Sequence, residues 1–129
     1  MPANITLPRP TEAELELLRV LWEHGPLTVR EIHEGLGDDK ETGYTTTLKI
    51  LQKMTDKGLV RRDETNRSHI YEPVAKASDT QRQLVRDFVS KTFGGSPAQL
   101  VMHALSEKKA SAAELTEIRR ILDELEAKV

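Results

Sequence analysis

The 129-residue chain contains no cysteine. That excludes a disulfide framework, a thiolate metal site and a cysteine nucleophile, and it suits a reducing compartment. Aromatic residues make up only 4% of the chain, so the interior must be assembled mainly from Leu, Val, Ile and Ala, a mix that favours a helix-rich protein. Long apolar runs are missing as well. No stretch approaches the roughly 20 apolar residues a membrane span needs, and the first residues, MPANITLPRPT, lack the basic start and apolar core of a signal peptide. The expected location is the cytoplasm, with no membrane partner. The length allows one domain, or one small domain followed by an oligomerisation segment.

Catalytic chemistry is also absent from the pattern. His24, His33, His69 and His103 are scattered, with no spacing that suggests zinc ligation, and each reads as a surface or cap histidine. No serine has a His and Asp context, and the carboxylates sit mostly among helix-surface charges. We therefore expect no enzymatic activity, no metal and no cofactor.

What the chain does have is charge, unevenly placed. Its total of −2 hides an acidic segment over residues 1–39, with three cations against eight anions, and a basic one over 40–77, with eight cations against five anions. A local basic surface can therefore exist on an acidic protein.

Helix signals dominate the acidic segment. TEAELELLRVLWEHG opens with Thr11 three residues before Glu14, a capping-box spacing, and carries Leu15, Leu18, Val20, Leu21 and Trp22 as an apolar face with Trp22 as a core anchor. LTVREIHEGL repeats the device with Thr28 and Glu31, and turns Val29, Ile32 and Leu36 inward. A polar turn, GDDKETG, leads to a third helix expected over Tyr44 to Lys57, with Thr42 as N-cap and Gly58 as C-terminal stop.

At about 100° per residue, the third helix sorts Tyr44, Thr47, Leu48, Leu51, Met54 and Thr55 to one side and Thr45, Thr46, Lys49, Gln52, Lys53 and Asp56 to the other. Threonine is a mediocre helix former, so three in a row ask for a reason. Thr47 belongs to the core. Thr45, Thr46, Lys49 and Lys53 face outward, where hydroxyl donors and cations can reach base edges and phosphates. Tyr44 could pack under the helix start or present its hydroxyl to a phosphate.

LVRRDETNRSHIYEPV then reads as two strands, near 59–64 and 68–73, joined by a turn at Asn66-Arg67. Arg67 is the best candidate for a phosphate or minor-groove contact, with Asn66, Ser68 and His69 beside it. Arg61 and Arg62 point to opposite faces of their strand, so at most one joins the same surface. We assign Arg62 to it, and add Thr42 and Tyr44 at the helix start. Three helices and a two-stranded ribbon make a winged helix-turn-helix. We place this domain at residues 1–77.

From residue 78 the pattern is purely helical. Ser78 is expected to cap a helix to about Phe93 with Leu84, Val85, Phe88 and Val89 as its stripe, GGS breaks it, and Pro97 starts another carrying Leu100, Val101 and Leu105. A capping box of Ser111 and Glu114 opens the last helix, where Leu115, Ile118, Leu122, Leu125 and Val129 recur at steps of 3 and 4, the spacing of a helix seam. Such short helices have little to bury themselves against, so residues 78–129 are expected to pair with a second copy through Leu84, Phe88, Leu100, Leu105, Leu115, Ile118, Leu122 and Leu125.

Taken together, ELELLRVLWEHGPLTVREIHEGL, GYTTTLKILQKMTDKGLVRR, RSHIYEPV and GGSPAQLVMHALSEKKASAAELTEIRRIL resemble the penicillinase repressor family, the BlaI/MecI/CopY type of bacterial transcriptional regulator. The resemblance covers roughly residues 10–128. It implies a homodimer with an N-terminal winged helix and a C-terminal helical dimerisation domain, binding a palindromic double-stranded DNA operator and repressing transcription. Two departures concern the signal. The Asn-Phe bond cut in the beta-lactamase branch is matched by His103-Ala104 within Leu100-Val101-Met102-His103-Ala104, and the cysteine cluster of the copper-responsive branch has no counterpart. An upstream sensor or protease is thus left unspecified. The rival reading is a winged helix used as a docking module for an acidic protein, without sequence-specific DNA binding.

Overall fold

The computed structural model describes residues 7–37 and 43–129. The chain divides into two compact units, Met1–Val85 and Arg86–Val129.

In the first unit, α1 (Glu12–His24) starts where the sequence places it. Thr11 Oγ1 accepts from the Glu14 N–H at 3.2 Å and Glu14 Oε1 accepts from the Thr11 N–H at 2.9 Å. A two-residue strand, β1 (Leu27–Thr28), precedes α2 (Val29–Gly35), whose capping box joins Thr28 and Glu31. α3 (Tyr44–Lys57) follows and ends at Gly58, in the left-handed conformation at φ 82°. There the Leu59 N–H returns to the Met54 carbonyl, a helix stop that glycine reaches without a Cβ penalty. The hairpin strands are β2 (Val60–Asp63) and β3 (Ile70–Pro73).

These bounds correct the sequence reading in several places. The hairpin strands are shorter than 59–64 and 68–73. The sheet has three strands in the order β1-β3-β2, all antiparallel, with Leu27 opposite Tyr71 and Arg62 opposite the same Tyr71 from the other side. Two residues of β1 carry too little pattern to announce a strand. The N-cap of α3 is Gly43, which makes no side-chain cap bond, and Thr42 lies outside the described residues.

Leu17, Leu18, Leu21, Ile32, Leu51, Met54, Leu59, Val60 and Tyr71 form one buried cluster, with Trp22, Leu27, Val29, Leu36 and Ile50 packed on its margin. Leu17 and Tyr71 complete the apolar faces that the sequence pattern outlined. Burying such side chains stabilises the fold by about 1.5–3 kcal/mol each, before the ordering entropy is set against it. Trp22 keeps its polar atom satisfied by donating from Nε1 to the Ala75 carbonyl at 3.0 Å. α1 and α2 approach so closely that a Cβ on Gly35 would lie 2.6 Å from Val20 Cγ1.

One core contact is ionic. Glu14 is only 5% exposed, and its Oε1 accepts from Lys57 Nζ at 2.6 Å, while Lys57 also donates to the Arg9 carbonyl at 3.2 Å. The capping carboxylate of α1 thereby ties down the far end of α3. Burial pushes the Glu14 carboxyl up, but the Lys57 hydrogen bond and charge and the Thr11 hydrogen bonds outweigh it, leaving it below its ordinary value.

The second unit continues α4 (Ala77–Thr92), which begins one residue before Ser78, so Ser78 lies in its first turn and does not cap it. Gly94 and Gly95 end it, with the Gly95 N–H returning to the Val89 carbonyl. α5 (Pro97–Glu107) has Ser96 as N-cap and Pro97 at its first position, and α6 (Ala112–Ala127) opens on the Ser111 and Glu114 capping box. Phe93 joins Phe88 edge-on at 5.4 Å and stacks on His103 at 5.5 Å.

The depressed Glu14 carboxyl contributes stability that is complete above its unfolded value, near 4.5, and lost as pH falls through the lower folded value. Glu14→Gln is therefore expected to lower stability by about 1–2 kcal/mol at pH 7. Thermal melts at stepped pH should show the gap to wild type closing below about pH 4.

Candidate nucleic-acid interface

α3 presents two different surfaces. Thr47, Leu51 and Met54 are fully buried, and Thr45, Thr46, Lys49, Gln52, Lys53 and Asp56 are exposed. The outward set is the one expected from helical geometry. Ile50 also leans on the core margin.

Thr47 fixes the helix in two ways. Its hydroxyl sits 3.3 Å from the Gly43 carbonyl and 3.0 Å from Nδ1 of His33 on α2, at 0% exposure. Whether the Thr47 hydroxyl donates to His33 Nδ1 or accepts from it depends on the imidazole tautomer, and either bond joins α2 to α3. A residue read from sequence as a surface or cap histidine is thus a link between two helices. The sequence carries no sign of it, because His33 and Thr47 meet only once α2 and α3 have packed.

Tyr44 is 44% exposed and stands at the edge of the two surfaces. Its ring meets His33 edge-on, with centroids 5.8 Å apart and planes at 80°, and Arg30 of α2 lies over it with Cζ 5.9 Å from the centroid.

The hairpin sorts its arginines. Arg61 Nε is 3.3 Å from Glu72 Oε1 on the strand opposite, and an Arg62 guanidinium nitrogen is 3.0 Å from Glu64 Oε1. A hydrogen bond to the Tyr71 hydroxyl, with the charge of Glu64, holds the Arg62 guanidinium more firmly protonated than usual. The loop after β2 is closed by Asp63, whose Oδ1 accepts from the Thr65 N–H at 2.9 Å and the Thr65 hydroxyl at 2.7 Å, bonds that lower its carboxyl. Asn66, Arg67 and Ser68 are exposed beyond it. Among the described residues, Lys49, Lys53 and Arg67 have no carboxylate partner, whereas Lys57, Arg61 and Arg62 do. The basic character of residues 40–77 is thus spent unevenly, and three of its cations without such a partner stand on the outer face of α3 and at the hairpin tip.

A three-helix core in which α3 is the next helix after α2, a small antiparallel sheet, and a hairpin following α3 define a winged helix-turn-helix protein. The family model for penicillinase repressors matches residues 10–124, and the chain belongs to that family. The transcriptional regulator BlaI of Mycobacterium tuberculosis strain H37Rv is 32% identical over 123 residues, covering 94% of this chain and 88% of that one. Two solution structures are similar, the DNA binding domain of the repressor BlaI and the Bacillus licheniformis BlaI monomeric form in complex with the blaP half-operator. Each gives a TM-score of 0.50 at 26% identity, over 57% of this chain and 90% of the other.

Thr47→Val keeps the branched shape but removes the hydroxyl, leaving His33 Nδ1 without its partner. It is expected to cost about 1–2 kcal/mol, read as a shift in the urea midpoint with an unchanged slope.

Proposed function

We propose that this protein is a homodimeric transcriptional repressor of the cytoplasm that reads a palindromic operator, with residues 1–77 binding DNA and 78–129 holding two copies together. The single observation that carries the reading is the outer face of α3, where Thr45, Thr46, Lys49 and Lys53 stand exposed while the same helix is locked through Thr47. Small hydroxyl side chains beside unpaired lysines suit groove reading better than a merely solvated face. α3 lies in the major groove, with Thr45 and Thr46 toward base edges and Lys49 and Lys53 toward phosphates. Tyr44, the first residue of α3, and Thr42, two positions earlier in the sequence, add to the DNA-binding set. At the hairpin, Asn66, Arg67 and Ser68 reach the backbone or minor groove, and Arg62 joins them by exchanging Glu64 for a phosphate.

Pairing is supported by what one chain leaves uncovered. Neither α5 nor α6 contains a buried residue, and Phe88, Leu122 and Leu125 are 51%, 51% and 55% exposed. Leu84, Leu100, Leu115 and Ile118 are half-buried and Leu105 is exposed. Apolar helix faces of this kind need a partner surface, and a second copy supplies the same faces in return. Operator half-sites are then expected about one or two helical turns apart.

Fluorescence anisotropy on promoter DNA from the protein's own gene neighbourhood, and on a duplex obtained by in vitro selection, tests the reading. Affinity indifferent to sequence at physiological salt would sink it. Docking to an acidic protein would leave duplex binding weak at every salt concentration, whereas operator binding should fall steeply with log salt.

Thr46→Ala is expected to relax sequence preference by about 1–3 kcal/mol, and Arg67→Ala to weaken selected and random duplexes alike while flattening the salt dependence. Equal losses on both duplexes for Thr46→Ala would remove it from base reading. Leu122→Asp should leave sedimentation velocity reporting a monomer where wild type is a dimer, because the seam would bury an unpaired charge.

A further inference from the structure

We propose that Arg30, carried by α2, is a contact to the DNA phosphate backbone, and that Tyr44 is the platform that positions its guanidinium. The proposal rests on the reading of α3 as the groove-entering helix and adds a contact from a different element.

Arg30 and His33 are i and i+3 on α2, so they share a face, and both reach Tyr44. Spacing offers Arg30 a different partner, Glu34 at i+4, on an exposed helix surface where such ion pairs form easily. It is not taken. Arg30 lies over the Tyr44 ring, and among the described residues it has no carboxylate within ion-pair distance, unlike Arg61, Arg62, Arg82 and Arg120. A guanidinium held over an aromatic face by cation–π attraction spends none of its N–H groups on a carboxylate and keeps them free to donate to a phosphate.

The platform is itself held. Tyr44 abuts His33, and His33 is hydrogen-bonded to the fully buried Thr47. A chain of contacts thus runs from the core to an exposed cation. Tyr44 immediately precedes Thr45 and Thr46, so Arg30 stands at the rim of the reading surface, where the sugar-phosphate wall runs when a recognition helix occupies the groove and the preceding helix crosses the backbone. Holding the long side chain in place beforehand lowers the rotamer entropy lost on binding. In this arrangement the ring of Tyr44 is what acts, not its hydroxyl.

A salt series of anisotropy titrations on a random-sequence duplex and on the selected duplex tests this. Arg30→Ala should weaken both by a similar factor, several-fold near physiological salt, and reduce the slope of log affinity against log salt by about 1 per bound protomer. Tyr44→Ala should reproduce most of that loss and add little in the Arg30→Ala background, while Tyr44→Phe should bind as wild type does. Thermal melts of each variant separate a folding defect from a lost contact. An unchanged slope for Arg30→Ala overturns the proposal, and so does a Tyr44→Phe loss as large as that of Tyr44→Ala. If wild type prefers neither duplex, the operator reading fails while the Arg30→Ala slope on random DNA still decides the phosphate contact. Absence of any duplex binding by wild type overturns both.

Discussion

The rotation of α3 about its own axis is the constraint on which the rest depends. Burial of Thr47, Leu51 and Met54 sets it, and a slip of one residue, about 100° of rotation, would bring Thr46 or Leu48 to the place of Thr47. The hydroxyl of Thr47 reinforces the setting, because it lies within hydrogen-bond distance of both the Gly43 carbonyl and His33 Nδ1. The far end of the helix is held by the buried Glu14 carboxylate through Lys57. A helix pinned at its first and last turns can leave its outer face free of structural duties.

Charge follows the same division between holding and reaching. The ion pairs of Lys57 and Arg61 tie α3 to α1 and β2 to β3, and that of Arg62 with Glu64 is local to the end of β2. Lys49, Lys53, Arg67 and Arg30 are exposed and have no such partner among the described residues. The acidic total of −2 is therefore a poor guide to the surface a polyanion would meet. Family membership is given by the match over residues 10–124, and the outer face of α3 and the hairpin tip both present cations without a carboxylate partner among the described residues.

Local chemistry was legible in the sequence, and tertiary pairing was not. The capping boxes at Thr11, Thr28 and Ser111, the stop at Gly58 and the start at Pro97 all depend on residues within a few positions of one another, and each stands where the pattern put it. The inward and outward threonines of α3 follow from helix geometry alone. β1 escaped notice because two residues have no period and its partner strand lies far along the chain. Glu14 carried a visible role as a cap, but its second role, to Lys57, spans 43 positions. Likewise His33 acquires meaning only from Thr47, and Arg30 only from Tyr44, because the sequence between the two helices, GDDKETG, says nothing of how closely they pack.

The absence of any buried residue in α5 and α6 has a consequence for dosage. In the pairing proposed here, folding of those helices is a second-order event, so their stability rises with the number of copies in the cell and has no fixed value for one chain. Joining two reading heads also converts the second half-site contact into an intramolecular one. Occupancy of the operator would then climb more steeply than protein abundance, giving the gene it controls a threshold in place of a graded response.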